Sequence, residues 1–209
     1  MQKKKRRTGS NVMKNNERYE IRFSGSGGQG IITAAVVMAD GAGSYDNKHV
    51  CQTQSYGPEA RGGKSKAEVV ISNSPIDYPK ALSVDLLLAM NQAACDAYFS
   101  DIKSDGLLVV DSGLVQQLPT SRSVSIPFTQ IAREQIGREL VANMVALGAV
   151  GYLSGQVSLD GLEKALLSRV PKGTEKMNSE ALHAGIKEAK KIDMDLLPRS
   201  VLSEWDDEF

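Results

Sequence analysis

The sequence predicts an α/β protein with a Rossmann-like, doubly wound, mostly parallel sheet and a helical C-terminal part. Three observations predict it. Val84–Ala89 and Leu107–Asp111 are compact apolar runs without polar alternation, as in strands buried on both faces. A glycine-rich turn, Gly25 to Gly30, joins a strand-like segment to a helix-like one. From Thr129 onward the apolar spacing shifts to the helical period.

Tyr19–Phe23 alternates apolar and polar side chains and reads as the first strand. Ile31–Ala39 is apolar nearly all round, which fits a helix wedged between a sheet and a neighbour, and Gly41 and Gly43 are expected to end it. His49–Thr53 reads as a second strand. The polar loop Gln54–Lys64 leads into another, Ser65–Ile71. Asn91–Phe99 is expected to be helical, and Val124–Ile126 reads as a last strand. The helices then follow as Glu139–Leu153, Leu159–Val170 and Asn178–Ile192. Alternation of strands and helices is what implies the doubly wound sheet.

The 209 residues fit one ordinary domain, expected over 18–195, with a basic extension at 1–17 and an acidic tail at 196–209. With 41% apolar residues a sizeable core is expected, and the 25 basic and 25 acidic side chains balance. That balance argues against a general nucleic-acid binder, which depends on neutralising phosphates. No apolar run nears the roughly 18 residues of a membrane span. The basic start, Lys3 to Arg7, leads into Thr8-Gly9-Ser10 and not into an apolar stretch, so it reads as a solvated extension and not as an export signal. Two cysteines, Cys51 and Cys95, exclude a disulfide scaffold and suit a cytoplasmic protein. Without a Cys-x-x-Cys run the chain is not expected to hold a four-cysteine iron–sulfur cluster.

Gly25, Gly27 and Gly30 have the Gly-x-Gly-x-x-Gly spacing between strand and helix. That spacing permits a tight turn and offers helix N-terminal amides to an anion. The alternative is a turn that holds no ligand. A nicotinamide enzyme would also need an acid about 20 residues on, at the end of the second strand. Gln52-Thr53-Gln54 stands there, and Asp46 comes too early. The second loop carries Tyr56, Pro58, Arg61, Gly62, Gly63, Lys64 and Lys66. These suit either convergence on a phosphate-rich ligand or a hairpin-like connection with solvated charges, and Glu59 is placed to pair with Arg61 in both.

The other candidates read as structural. Cys95 lies among alanines on a helix. His49 and Cys51 share a strand face, but no third group orients them. His183 sits on an amphipathic helix. Asp111 ends a strand, where it either caps a loop or touches a ligand. No catalytic constellation and no metal cluster stands out.

Taken together, Gly25-Ser-Gly-Gly-Gln-Gly30 with Ile31-Ile32, Gln54-Ser-Tyr-Gly-Pro-Glu-Ala-Arg-Gly-Gly63, Ala67–Ser72 and Asn143-Met-Val-Ala-Leu-Gly148 resemble the gamma subunits of 2-oxoacid:ferredoxin oxidoreductases. The resemblance spans about Tyr19 to Lys190. It implies a hetero-oligomer with alpha and beta subunits, in some cases a ferredoxin-like delta subunit, and ferredoxin as electron acceptor. Thiamine diphosphate and the iron–sulfur clusters are implied in those partners, with coenzyme A as a substrate near this chain. The loop at Ser55–Glu59 resembles the 2-oxoglutarate and the pyruvate or branched-chain types, and 2-oxoglutarate is favoured. On this reading Gly25, Gly27, Gly28, Gln29 and Gly30 form an anion-accepting turn. Tyr56, Arg61, Gly62, Gly63 and Lys64 bind coenzyme A phosphate or lock the chain against alpha. The alternative is a scaffold subunit, of the same or an indolepyruvate-type complex, without ligand contact.

Overall fold

The computed structural model describes residues 18–56 and 64–201. The basic extension, the turn 57–63 and residues 202–209 of the tail lie outside the described residues.

Six strands form one sheet: β1 Arg18–Ser26, β2 His49–Tyr56, β3 Lys64–Ser72, β4 Val84–Ala89, β5 Ile102–Asp111 and β6 Ser123–Ile126. Their order is β2-β3-β1-β4-β5-β6. β1, β4, β5 and β6 are parallel neighbours, whereas β3 runs antiparallel to both β1 and β2. β3 lies between β1 and β2. The cause is chain length. A parallel return needs a crossover of a dozen or more residues, and the connection 57–63 is too short for anything but a hairpin.

α1 (Ile31–Asp40) carries the chain from β1 to β2 over one face, and α2 (Gln92–Tyr98) carries it from β4 to β5 over the other. The two crossovers advance in opposite directions across the sheet, so right-handed connections place their helices on opposite faces. Coverage is nonetheless uneven. α4 (Ala142–Ser154), α5 (Leu159–Arg169) and α6 (Glu175–Ala189) all join α1 on the first face, together with the short α3 (Phe128–Ile131). Side chains alternate accordingly along β4: Leu86 and Leu88 enter this large core, while Leu87 and Ala89 enter the smaller one under α2.

α4 packs backbone to backbone against α6. A Cβ on Gly148 would collide with the Leu182 carbonyl oxygen, and one on Gly185 with that of Val145. Gly41 does not stop the first helix as expected. Its φ of −56° is right-handed, and the chain continues into a π-turn, Gly41–Tyr45, with Gly41 packed on Val157 and Leu162. The helix expected from Glu139 begins instead with a 3-10 turn, Glu139–Val141, and the last helix starts at Glu175, ahead of the expected Asn178. The chain then returns to the second face, where the Val201 N–H donates to Ser104 O at 2.7 Å and Val201 is buried. No helix among the described residues is long and apolar enough to cross a membrane.

Beneath α2 the middle of the sheet is charged. Arg22 on β1 is 2% exposed and Glu68 on β3 is 6% exposed. Arg22 Nη2 lies 2.8 Å from Glu68 Oε1, and its Nη1 pairs with Asp101. Lys66 Nζ reaches the same Glu68 oxygen at 2.9 Å, and both cations lie over the Tyr98 ring. Burial pushes the Glu68 carboxyl up, but the Lys66 hydrogen bond and the charges of Arg22 and Lys66 outweigh it and hold it below the ordinary range. A lowered carboxyl stabilises the fold above its unfolded value and loses that contribution as pH falls through its folded value.

Replacing Glu68 strands the buried Arg22 guanidinium on the half-buried Asp101. Urea unfolding of Glu68→Ala at neutral pH should show a loss of about 3–5 kcal/mol. The penalty should shrink as the pH falls below the ordinary carboxylate value of 4.5 and through the lower value of the folded protein. A difference under about 1 kcal/mol, the size of an exposed pair, would contradict this account.

Candidate functional site

Both sequence-predicted loops leave the sheet at one end. Ser26 stands opposite Lys64 and Gly25 opposite Ser65, while Tyr56 faces Ser65 from β2. The flanks of the second loop thus stand beside the glycine turn. Arg61, Gly62 and Gly63, with Pro58 and Glu59, lie outside the described residues, and Tyr56 is placed by its backbone alone. Lys64 is exposed. Lys66, whose charge suited either a phosphate-rich ligand or solvent, pairs with Glu68 at 2.9 Å on the second face.

The glycine turn sits where the connections diverge. β1 and β4 are parallel neighbours whose following helices lie on opposite faces, and doubly wound sheets open a ligand crevice at such a point. Here that crevice is bridged by side-chain amides. Gln29 folds back over its own turn, where its Oε1 accepts the Ser26 N–H at 2.7 Å and its Nε2 donates to Met90 O at 3.3 Å. A Cβ on Gly25 would lie 2.6 Å from that Oε1, so the glycine makes room for Gln29 and not for a ligand. Asn91 joins the two strand ends. Its Oδ1 caps α2 by accepting the Ala94 N–H at 2.9 Å, and its Nδ2 donates to Ser26 Oγ at 2.6 Å and Gln29 Oε1 at 3.1 Å.

The other side of the turn is anchored by Asn143 at the start of α4, whose Nδ2 donates to Gly30 O at 3.0 Å. Gly30 precedes α1 with a left-handed φ of 69°, and a Cβ there would strike the Asn143 amide. No side chain caps α1, so its first amides remain available to an anion. Gly27 and Gly28 form the exposed tip, where an added Cβ would meet nothing within 4 Å among the described residues. Outside the tip is a crevice of about 260 Å³ lined by Gly28, Gln29, Met90, Leu114, Thr129 and Leu140, all at the carboxyl end of the sheet or the start of α4. The turn is therefore a rigid, outward-facing tip with its inside already filled.

The other candidates are structural. Asp111 is fully buried and accepts the Thr129 N–H at 2.8 Å, the Thr129 hydroxyl at 2.5 Å and the Gly113 N–H at 3.0 Å, which makes it a loop cap. Asp46 caps the start of α5 through Ser158. His183 is exposed, bonded through Nδ1 to Ser179 O at 2.9 Å. Cys95 is buried under α2, and burial, with the nearby Asp96 charge, raises its thiol to about 11. Among the described residues no cluster of His, Cys, Asp and Glu suits a metal ion. Sequence reasoning missed Asn91. Its signal was an asparagine between a buried strand and a helix, the position of an N-cap.

Residues 20–188 match the pyruvate ferredoxin/flavodoxin oxidoreductase family. The chain is 51% identical over 179 residues to the 2-oxoglutarate synthase subunit KorC of Methanocaldococcus jannaschii, across 84% of this chain and 96% of that one. Identity to the pyruvate synthase subunit PorC of Methanothermobacter thermautotrophicus is 33%, over 83% of this chain and 97% of the other. Among solved structures, the gamma subunit of a keto/oxoacid ferredoxin oxidoreductase from Geobacter sulfurreducens superposes with a TM-score of 0.77 at 49% identity, covering 83% of this chain and 97% of its own.

The geometry separates two glycines of the turn. Gly30→Ala should cost about 1–3 kcal/mol in thermal or urea unfolding, because it forces a left-handed backbone on a residue with a Cβ. Gly27→Ala should change stability by less than about 0.5 kcal/mol, as at other surface positions. Equal losses would contradict the assignment of Gly27 to an open tip. In addition, Cys95 should resist thiol-specific reagents at pH 8 in the native protein and react on unfolding. Labelling of Cys95 without loss of structure, read by mass spectrometry, would overturn its place in the core.

Proposed function

The chain belongs to the pyruvate ferredoxin/flavodoxin oxidoreductase family, and on that premise we propose that it is the gamma subunit of a 2-oxoglutarate:ferredoxin oxidoreductase. The complex performs coenzyme A-dependent oxidative decarboxylation of the 2-oxoacid to its acyl-CoA, with ferredoxin taking the electrons. The substrate class rests on the gap between 51% identity to a 2-oxoglutarate synthase subunit and 33% to a pyruvate synthase subunit. We place the complex in the cytoplasm, in keeping with two free cysteines.

The redox and decarboxylation cofactors belong to the partner alpha and beta subunits and, where present, delta. Cys51 lies on β2 and Cys95 inside the core under α2, a donor set that does not fit an iron–sulfur cluster. No step of the carbon chemistry is therefore assigned to this chain. Its part is to present the tip Gly27–Gly28 with Gln29 and Gly30, and beside it Tyr56, Arg61, Gly62, Gly63 and Lys64, to the coenzyme A side of the assembly. The observation that carries this role is the convergence of the two loop bases at the carboxyl end of the sheet. Free amides of α1 and the cations of the second loop would hold phosphate there.

One observation favours a scaffold reading instead. Gln29 already occupies the inside of the turn and bridges the crevice between β1 and β4. In that reading the same tip is an interface element against alpha and touches no small molecule.

Arg61→Ala in the assembled complex discriminates the two. Loss of a charge-assisted phosphate contact should raise the KM for coenzyme A about tenfold to a hundredfold while decarboxylation of 2-oxoglutarate continues. An unchanged KM in an intact complex would remove the coenzyme A contact, and loss of this chain from the complex on size-exclusion chromatography would select the scaffold.

A further inference from the structure

The two edges of the sheet are built differently. β6, at one edge, is four residues long, is preceded by Arg122 and runs straight into Pro127. A short strand flanked by a cation and a proline is a blunted edge, poorly suited to further pairing. β2, at the other edge, has none of these devices. It is eight residues long, more than the roughly five or six usual for a strand. Its ladder to β3 runs without a bulge from His49 opposite Ser72 to Tyr56 opposite Ser65. From His49 to Tyr56 there is no proline and no Asp, Glu, Lys or Arg. Nor is the strand enclosed. His49, Gln54 and Ser55 are exposed and Val50 to Thr53 half-buried, whereas β3 is buried throughout Ala67 to Ser72. Among the described residues no strand lies beyond β2, and the one side chain bonded to its main chain is its own Gln52, whose Nε2 donates to Thr53 O at 3.2 Å.

An open edge of this length presents a row of main-chain donors and acceptors that another strand can take up. The absence of charge indicates which strand. In antiparallel pairing about a two-fold axis, each side chain near the axis faces its own counterpart or a close neighbour, so a charged residue there would meet its like. A strand from a different chain imposes no such condition, since opposite charges would then serve. We propose that β2 pairs antiparallel with β2 of a second copy of this chain, about an axis near Gln52 and Thr53, joining two six-stranded sheets into one. The pairing closes on itself. Once both β2 edges are used, the edges that remain are the two blunted β6 strands, so growth stops at two copies. The glycine turn stays free, because it follows β1 and β3 separates β1 from β2. This inference is independent of which ligand or subunit meets that turn.

Sedimentation velocity of the full-length chain over a concentration series, with amide hydrogen exchange measured at both ends of the series, tests the pairing. A monomer–dimer equilibrium is expected, with exchange slowed in the dimer within His49–Tyr56. Gln52→Lys and Gln52→Glu each set like charges beside the axis, and each should weaken the dimer at least about tenfold. An equimolar mixture of the two variants should recover it, which a folding defect in either would not allow. A chain that is monomeric at every concentration, a dimer that both variants leave intact, a mixture that stays monomeric, or protection confined to segments other than β2 would overturn the proposal. Protection of β2 that arises only on adding alpha and beta subunits would also overturn it, and would assign the edge to a strand of another subunit.

Discussion

The structure depends on how β1 is held, because three changes of direction meet on that strand. To one side its neighbour β3 is antiparallel, to the other β4 is parallel, and the helices following β1 and β4 leave to opposite faces. Such a junction splays the chain apart and leaves main-chain groups at the strand ends in need of partners. Gln29 and Asn91 supply them. Two carboxamides can do this where two carboxylates cannot, since each presents both a donor and an acceptor: Gln29 accepts from Ser26 and donates to Met90, while Asn91 accepts from Ala94 and donates to Ser26. A closed ring of neutral hydrogen bonds results, and it sets the tip of the turn without charge.

The same strand is polar on its other face. Glu20 accepts the Leu82 and Ser83 N–H groups, Arg22 lies under α2, and the Ser24 hydroxyl donates to Leu88 O at 2.7 Å. An apolar strand here would pack well under α2 but would give β3 no cue to register. A buried pair ties Arg22 to Glu68 at the register position where those two residues face one another. Breaking such a pair is costly even where its net contribution is modest, so slippage by one residue is penalised by an unpaired buried charge. Specificity of pairing is the more convincing role for this network than net stabilisation.

Much of this was legible in the sequence, and the failures share a cause. The strands, the apolar α4 and the glycine turn announced themselves through local pattern, because burial on one or both faces leaves its period in the chain. What local pattern does not encode is which strand lies beside which. His49–Thr53 reads as the second strand, which the structure extends to Tyr56, and the length of the following connection shows that β3 pairs antiparallel with β2 but not that it lies between β2 and β1. Gly41 misled for the opposite reason. It is a helix-breaking residue by propensity, yet tertiary contact with Leu162 and Val157 uses its missing side chain within a continuing helical turn. The caps that Asn91 and Gln29 make are local, but the bonds by which they bridge β1 and β4 span sequence separations of about 60, beyond any local motif.

These positions also separate what the turn does from what its motif suggests. A glycine-rich strand-to-helix turn is usually taken as a cradle, with glycine leaving space for phosphate. In this chain the three glycines have three different reasons. Gly25 leaves space for the Gln29 amide, Gly30 takes the left-handed corner against Asn143, and a Cβ on Gly27 would meet nothing within 4 Å among the described residues. Two of the three are accounted for by intramolecular packing, so the spacing alone carries little information about a ligand. The informative residue is the one this chain does not need. With the interior filled by Gln29, the ligand or partner surface of the proposed function would meet Gly27 and Gly28 from outside the turn.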